Sequence, residues 1–335
     1  MTRRRGSFPR WLLLVAPSLL ALAGLGVAGA ARAAEPTGEV VAFPSGALTL
    51  KGVLYRPPGP GPFPAVLYNH GGSPGLLSNE AFEAIGPRFV ERGWVFFAPW
   101  RRGQGLSAGA GPFIADVMAR ATRQRLIAEG LGLAALLGAV ICLATAGWKW
   151  RRRSSTGVGP WLGGLVGVVV FVVAQAAKGG PGLARVLETD HLQDQLAGLA
   201  WLRAAPFVAP GRIAVAGNSL GGIEAVLGVE QVAYCAALDA SGGAMSWAQS
   251  PDLRQVMARA VRHARAPIFF FQAANDFDLG PTRTLSAAMQ DAGRPFEMKI
   301  YPPFGASPEQ GHSFAYAASA VWFDDAFRFL QQHCR

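Results

Sequence analysis

Past the first forty residues, the chain alternates short apolar runs with turn residues and then with helical spacing. Residues 40–43 and 48–55 read as strands joined by the turn signal Pro44-Ser45-Gly46, an antiparallel pair. Ala65-Val66-Leu67-Tyr68 is a continuous apolar run, as in a strand buried on both faces, and it ends at His70-Gly71-Gly72. Helical spacing over 79–92 stops at Gly93, and a strand follows over 94–97. Beyond residue 187 the alternation becomes regular. Helices are expected over 187–204, 220–229, 251–262, 282–292 and 315–331, and strands over 212–216, 233–238, 267–271 and 297–301. Strands alternating with helices imply a mostly parallel sheet covered on both faces, a three-layer α/β fold occupying residues 34–335.

One region breaks this pattern. Residues 131–148 form an uncharged, mainly apolar run, and no charge occurs over 154–177 either. A helix crosses a bilayer with roughly 17–25 residues, so 131–148 and 157–177 are expected as a transmembrane pair within an insert over 120–182. Between them lies Lys149-Trp150-Arg151-Arg152-Arg153, a basic loop that the positive-inside rule puts in the cytoplasm. Gly163 and Gly167 give the small-xxx-small spacing of closely packed spans. A soluble pair of apolar cap helices over the active site is the alternative.

The first 33 residues read as a signal peptide. Arg3 to Arg10 supply a basic start, 11–31 an apolar stretch, and Ala31-Arg32-Ala33 the small-x-small cleavage pattern. The alternative is an uncleaved anchor, and the twin arginines leave Sec and Tat export both open. The body is thus expected outside the cytoplasm and membrane-associated.

Location changes the meaning of the +10 net charge. Arg3, Arg4, Arg5, Arg10 and Arg32 lie in the leader, and Lys149, Arg151, Arg152 and Arg153 in the hairpin loop. Setting those nine aside leaves 22 of the 31 basic residues against 21 acidic ones. The excess is membrane-topology charge, which removes nucleic acid as an expected partner. The three cysteines argue against a disulfide framework: Cys142 lies in an apolar run, Cys235 in an expected buried strand and Cys334 at the tail. They form no ligand spacing, so no metal is expected.

The pattern Gly-x-Ser-x-Gly occurs at Gly105-Leu106-Ser107-Ala108-Gly109 and at Gly217-Asn218-Ser219-Leu220-Gly221. Context separates the two. Ser219 directly follows the strand over 212–216 and opens a helix, the sharp turn that exposes a nucleophile. Ser107 sits in a glycine-rich loop and reads as a turn residue. A serine needs a base, and the base an orienting carboxylate. Of the five histidines, His312 stands between the last strand and the last helix, where a Ser…Asp…His order puts the base. Asp276 follows the strand over 267–271 and is the expected acid, with Asp278 and then Asp239 as alternatives. The Leu220 amide and that of Gly71 or Gly72 are the expected oxyanion donors.

These segments, with Arg101-Arg102-Gly103-Gln104-Gly105, resemble the dienelactone hydrolase-like branch of the α/β-hydrolases, which is also similar to the catalytic domains of prolyl oligopeptidase-type peptidases. The resemblance spans residue 38 to the end and implies the triad Ser219, His312 and Asp276 with no cofactor. Two departures stand out: a serine replaces the cysteine nucleophile of dienelactone hydrolases proper, and the 120–182 insert is extra. The expected activity is hydrolysis of a carboxylic ester through an acyl-enzyme. The insert leaves from a strand's carboxyl end, which favours amphiphilic or lipid-like esters and brings membrane lipid to the hairpin. A peptidase or amidase on the same triad and a non-catalytic, membrane-tethered binding protein are the alternatives.

Overall fold

The computed structural model describes residues 38–72, 80–112, 114–152, 158–176 and 183–335, so the expected signal peptide lies outside the described residues. Its strands are β1 (Glu39–Ser45), β2 (Leu48–Tyr55), β3 (Phe63–Asn69), β4 (Val95–Pro99), β5 (Val208–Asn218), β6 (Ala237–Ala240), β7 (Ile268–Ala273) and β8 (Phe296–Tyr301). They form one sheet in the order β1-β2-β4-β3-β5-β6-β7-β8. Only β1–β2 and β2–β4 pair antiparallel, and every other pair is parallel. Gly46 takes the positive φ of +58° that a two-residue hairpin turn between β1 and β2 requires.

Alternate residues of the central strands feed two cores. Leu67, Phe97, Ile213, Val215 and Phe270 point to one face, where α5 (Leu192–Ala204), α6 (Leu220–Gln231), α7 (Pro251–Arg262) and α8 (Gly280–Asp291) pack. Val66, Tyr68, Phe96, Ala216 and Phe271 point to the other, against α1 (Glu80–Glu91), α9 (Pro308–Ala317) and α10 (Ser319–His333). Both faces are dry, which is why these strands read as continuous apolar runs.

Three expectations change. The strand expected over 233–238 begins only at Ala237, because residues 233–236 run up to β5 before the ladder with β7 starts. The last helix is two helices, α9 and α10. Ser307 caps α9, accepting a hydrogen bond from Gln310 N, and Pro308 fits the first helical turn, so the helix starts well before residue 315. The cysteine expectation is also corrected: Cys235 and Cys334, 99 residues apart, are disulfide-bonded, their Cα atoms 5.0 Å from each other. Helix α10 runs back across the sheet and delivers Cys334 to the start of β6, a meeting that spacing along the chain does not reveal.

The insert is a helical hairpin, longer at its start than expected. α2 (Ile114–Arg151) has 38 residues and α3 (Gly159–Ala176) has 18. Residues Leu126–Arg151 of α2 are long and apolar enough to cross a membrane, while the apolar part of α3, Gly159–Ala174, is shorter. The glycine spacing expected for close packing is used. A Cβ on Gly167 would lie 2.6 Å from Ala135 O, and one on Gly163 would lie 2.9 Å from Cys142 Sγ. Outward residues such as Leu133, Ile141, Val166 and Val173 are exposed along both helices. A short α4 (Leu183–Val186) and a π-helical turn, Leu187–His191, lead the chain back into α5.

Candidate active site

The parallel strands end level at one edge of the sheet, with Asn69 beside Gly217 and Asn218 beside Ala240. Ser219 sits there, between β5 and α6, at φ +56° and ψ −118°. A non-glycine residue rarely adopts that conformation, and it persists only where the surroundings enforce it. Here Ser219 N–H donates to Ala240 O at 2.9 Å, and Gly222 N–H donates to Ser219 O at 3.0 Å. The flanking glycines are needed for the turn to fit. A Cβ on Gly217 would meet Gly221 O at 2.1 Å, and one on Gly221 would meet Asn69 O at 2.0 Å.

The side chain of Ser219 heads a relay. Ser219 Oγ and His312 Nε2 are 2.9 Å apart, and His312 Nδ1 lies 2.8 Å from Asp276 Oδ1. Asp276 is fixed by Phe277 N–H donating to Oδ1 at 2.7 Å and by Gln272 Nε2 donating to Oδ2 at 3.3 Å. Its carboxylate is fully buried, while the imidazole is 14% exposed, so the relay opens outward at Ser219 and His312. His312 lies on α9 rather than in the loop expected for it. Gly311 lets α9 come this close: a Cβ there would touch Asn275 at 2.7 Å. The edge of Phe277 rests on the imidazole, with ring centroids 5.4 Å apart.

The other candidates fall elsewhere. Asp278 accepts from Gly280 N–H at 2.7 Å at the start of α8. Asp239 is buried, accepts from Gly242 N–H at 2.9 Å, and packs against Gly222. Desolvation raises its pKa to about 7, with the Gly242 hydrogen bond opposing the rise. Ser107 Oγ accepts from Lys51 N–H at 2.9 Å and is buried, which is a loop-fastening role.

Leu220 opens α6, where backbone amides have no partner within the helix. Gly72 lies against it: a Cβ on Gly72 would be 2.6 Å from Leu220 Cδ2. Behind Gly71 is a buried polar cluster that the sequence did not announce. Arg101 reaches the Gly71 carbonyl, His70, Gln104 and Glu224, and Glu224 in turn reaches His191. The one sequence signal for it was a pair of arginines directly after an apolar strand.

A serine at a strained strand-to-helix turn, in relay with a histidine and an aspartate at the carboxyl edge of this sheet, has the build of a serine hydrolase on an α/β-hydrolase fold. Residues 175–333 match the family model of the dienelactone hydrolase family. Solved structures agree on the fold. A putative dienelactone hydrolase from Klebsiella pneumoniae is similar with a TM-score of 0.51 and 14% identity, over 86% of this chain and 98% of that one. A thermophilic esterase from the planctomycete Thermogutta terrifontis is similar with a TM-score of 0.51 and 17% identity, over 89% and 95%. An acylaminoacyl peptidase from Pyrococcus horikoshii gives 0.53 and 15%, over 89% of this chain but 42% of the peptidase. The chain therefore spans less than half the length of that peptidase, and identities this low speak to fold alone. No curated protein sequence matches the chain.

Proposed function

We propose that the protein is an exported, membrane-tethered serine esterase with Ser219 as nucleophile, His312 as general base and Asp276 as its orienting acid. The observation that carries this reading is the unbroken relay Ser219–His312–Asp276 at 2.9 and 2.8 Å. In the reaction, Ser219 Oγ attacks the ester carbonyl carbon while its proton passes to His312 Nε2. Asp276 keeps the other ring proton on Nδ1 and stabilises the imidazolium that forms. The tetrahedral oxyanion is met by the Leu220 amide and by an amide of the Gly71-Gly72 segment, each donor contributing about 2.7–4 kcal/mol to lowering the barrier. His312 then protonates the leaving alcohol and later activates the water that releases the acid.

Esters are preferred to peptides in this reading because an alkoxide leaves more readily than an amine and the described residues include no second substrate-selecting domain. Export is supported by the disulfide, a bond that persists in oxidising compartments. Tethering is supported by the run of apolar side chains exposed along both α2 and α3, the kind of surface that marks a membrane contact. The test is kcat/KM on matched short-chain, long-chain and anilide substrates, for the full chain and for a deletion of residues 120–182. Faster ester than anilide turnover supports the esterase reading, and faster anilide turnover replaces it with an amidase. Equal turnover of short and long esters, unchanged by the deletion, would sink the preference for amphiphilic substrates. Retention of the full chain in membranes after alkaline extraction, lost on deletion, supports the tether.

A further inference from the structure

We propose that Arg101 is a positioning residue for the oxyanion hole: it holds the Gly71 carbonyl so that the Gly72 amide becomes the second oxyanion donor beside Leu220. The proposal rests on the esterase reading above. Arg101 lies just beyond β4 and is only 3% exposed. Every nitrogen of its guanidinium is engaged. Nε donates to Gln104 Oε1 at 2.9 Å, and Nη1 to Glu224 Oε2 at 2.6 Å. Nη2 donates to Gly71 O at 2.7 Å and lies 2.9 Å from His70 Nδ1.

The geometry of one peptide group turns this clamp into an aimed donor. In a trans peptide the carbonyl oxygen and the next residue's N–H point to opposite sides of the bond. Fixing Gly71 O against Arg101 therefore fixes the direction of Gly72 N–H away from the guanidinium. A Cβ on Gly72 would lie 2.6 Å from Leu220 Cδ2 and 3.1 Å from its Cβ, so Gly72 is next to the residue that opens α6, and the proposal sets its amide beside the Leu220 amide. The preceding peptide is set the other way. His70 O faces the start of α6, 2.8 Å from where a Gly221 Cβ would lie, which turns Gly71 N–H away from the elbow. The choice between Gly71 and Gly72 thus falls on Gly72.

The hub is itself braced from two sides. Glu224, on α6, answers the buried guanidinium charge and is held through Oε1 by His191 Nδ1 at 2.9 Å. His191 ends the π-helical turn by which the chain returns from the hairpin. His70 is kept neutral, since burial and then the neighbouring Arg101 lower its pKa well below the usual imidazole range. Its Nδ1 lies 2.8 Å from Gly71 O, so His70 bears on the same carbonyl as Arg101. Only a planar fork can serve Gln104, Glu224, His70 and Gly71 together, and lysine, a point charge, cannot.

The test uses the full chain in detergent with Arg101→Lys and Arg101→Met. Activity on a short-chain ester is normalised to active sites titrated with a fluorophosphonate, and the inhibition constant of an alkyl boronic acid is measured alongside. Loss of a single oxyanion donor typically costs about 10²–10³-fold in kcat, and a misaimed one is expected near the lower bound. Arg101→Met should lose about 100-fold in kcat per active site with KM little changed, and boronate affinity should fall in parallel. Arg101→Lys should fall between it and the wild type. If Arg101→Met does not fold, Arg101→Lys decides alone. Wild-type kcat per active site in a folded Arg101 variant, or a loss of kcat with boronate affinity intact, overturns the proposal. Absence of Ser219 labelling in the wild-type protein would instead overturn the esterase reading beneath it.

Discussion

Replacing Gly221 by alanine should disable the site while the fold survives, because the added methyl group has nowhere to go. Its Cβ would stand 2.0 Å from Asn69 O, 2.4 Å from Asn69 C and 2.8 Å from His70 O, all of them backbone atoms at the end of β3. Contacts under 3.0 Å do not persist, so the elbow and the His70-Gly71-Gly72 segment must separate by about 1 Å, from 2.0 to at least 3.0 Å. That movement parts Leu220 from Gly72, which are in contact in the wild-type protein. A displacement of this size at reacting groups costs about 100-fold in rate, and overpacking a tight site costs about 1–3 kcal/mol of stability. Steady-state kinetics on a short-chain ester, beside thermal melts, reads both. Gly211→Ala is the control, since that position on β5 has nothing within 4 Å of an added Cβ. It should leave rate and stability unchanged. Wild-type kcat/KM in Gly221→Ala would refute the tight-elbow reasoning, as would an equal loss in Gly211→Ala.

Three further outcomes are expected. Asp276→Asn should cost about 10⁴-fold in kcat, as loss of the correct imidazole tautomer does in serine proteases, whereas Asp278→Asn should cost little, and steady-state kinetics of the pair checks the assignment. Asp239 has a folded pKa of about 7 against an ordinary 3.8, so the folded state binds its proton more tightly than the unfolded one. Its contribution is complete below pH 3.8 and lost as pH rises through 7, about 4 kcal/mol by neutral pH. Asp239→Asn should flatten that part of the stability-versus-pH curve measured by denaturant unfolding, and an unchanged slope would contradict it. Cys235→Ser should lower stability by about 2–5 kcal/mol, seen as a reduced Tm that a reductant no longer affects.

How much of this was legible in the chain follows from range. The sheet was readable because strands buried on both faces are continuous apolar runs, and the helices between them keep their own period. Ser219 stood out because its motif directly follows one such run. Asp276 and His312 stood out because each follows a later strand. His312 was expected in a loop, since the cap at Ser307 and Pro308 that draws it into α9 lies outside any apolar pattern. What the chain hid was contact at a distance. The partner of Arg101 is Glu224, 123 residues away, and the partner of Cys235 is Cys334. Neither pairing has a local signature. A buried arginine is recognisable only once β3, β4 and α6 are seen to converge on it.

The central claim, that Ser219 is an activated nucleophile, is tested most directly by fluorophosphonate labelling of the detergent-purified full chain. The modified residue is mapped by mass spectrometry, with Ser219→Ala as control. A single label on Ser219 that disappears in the variant is expected. No label, or a label on Ser107, would contradict it.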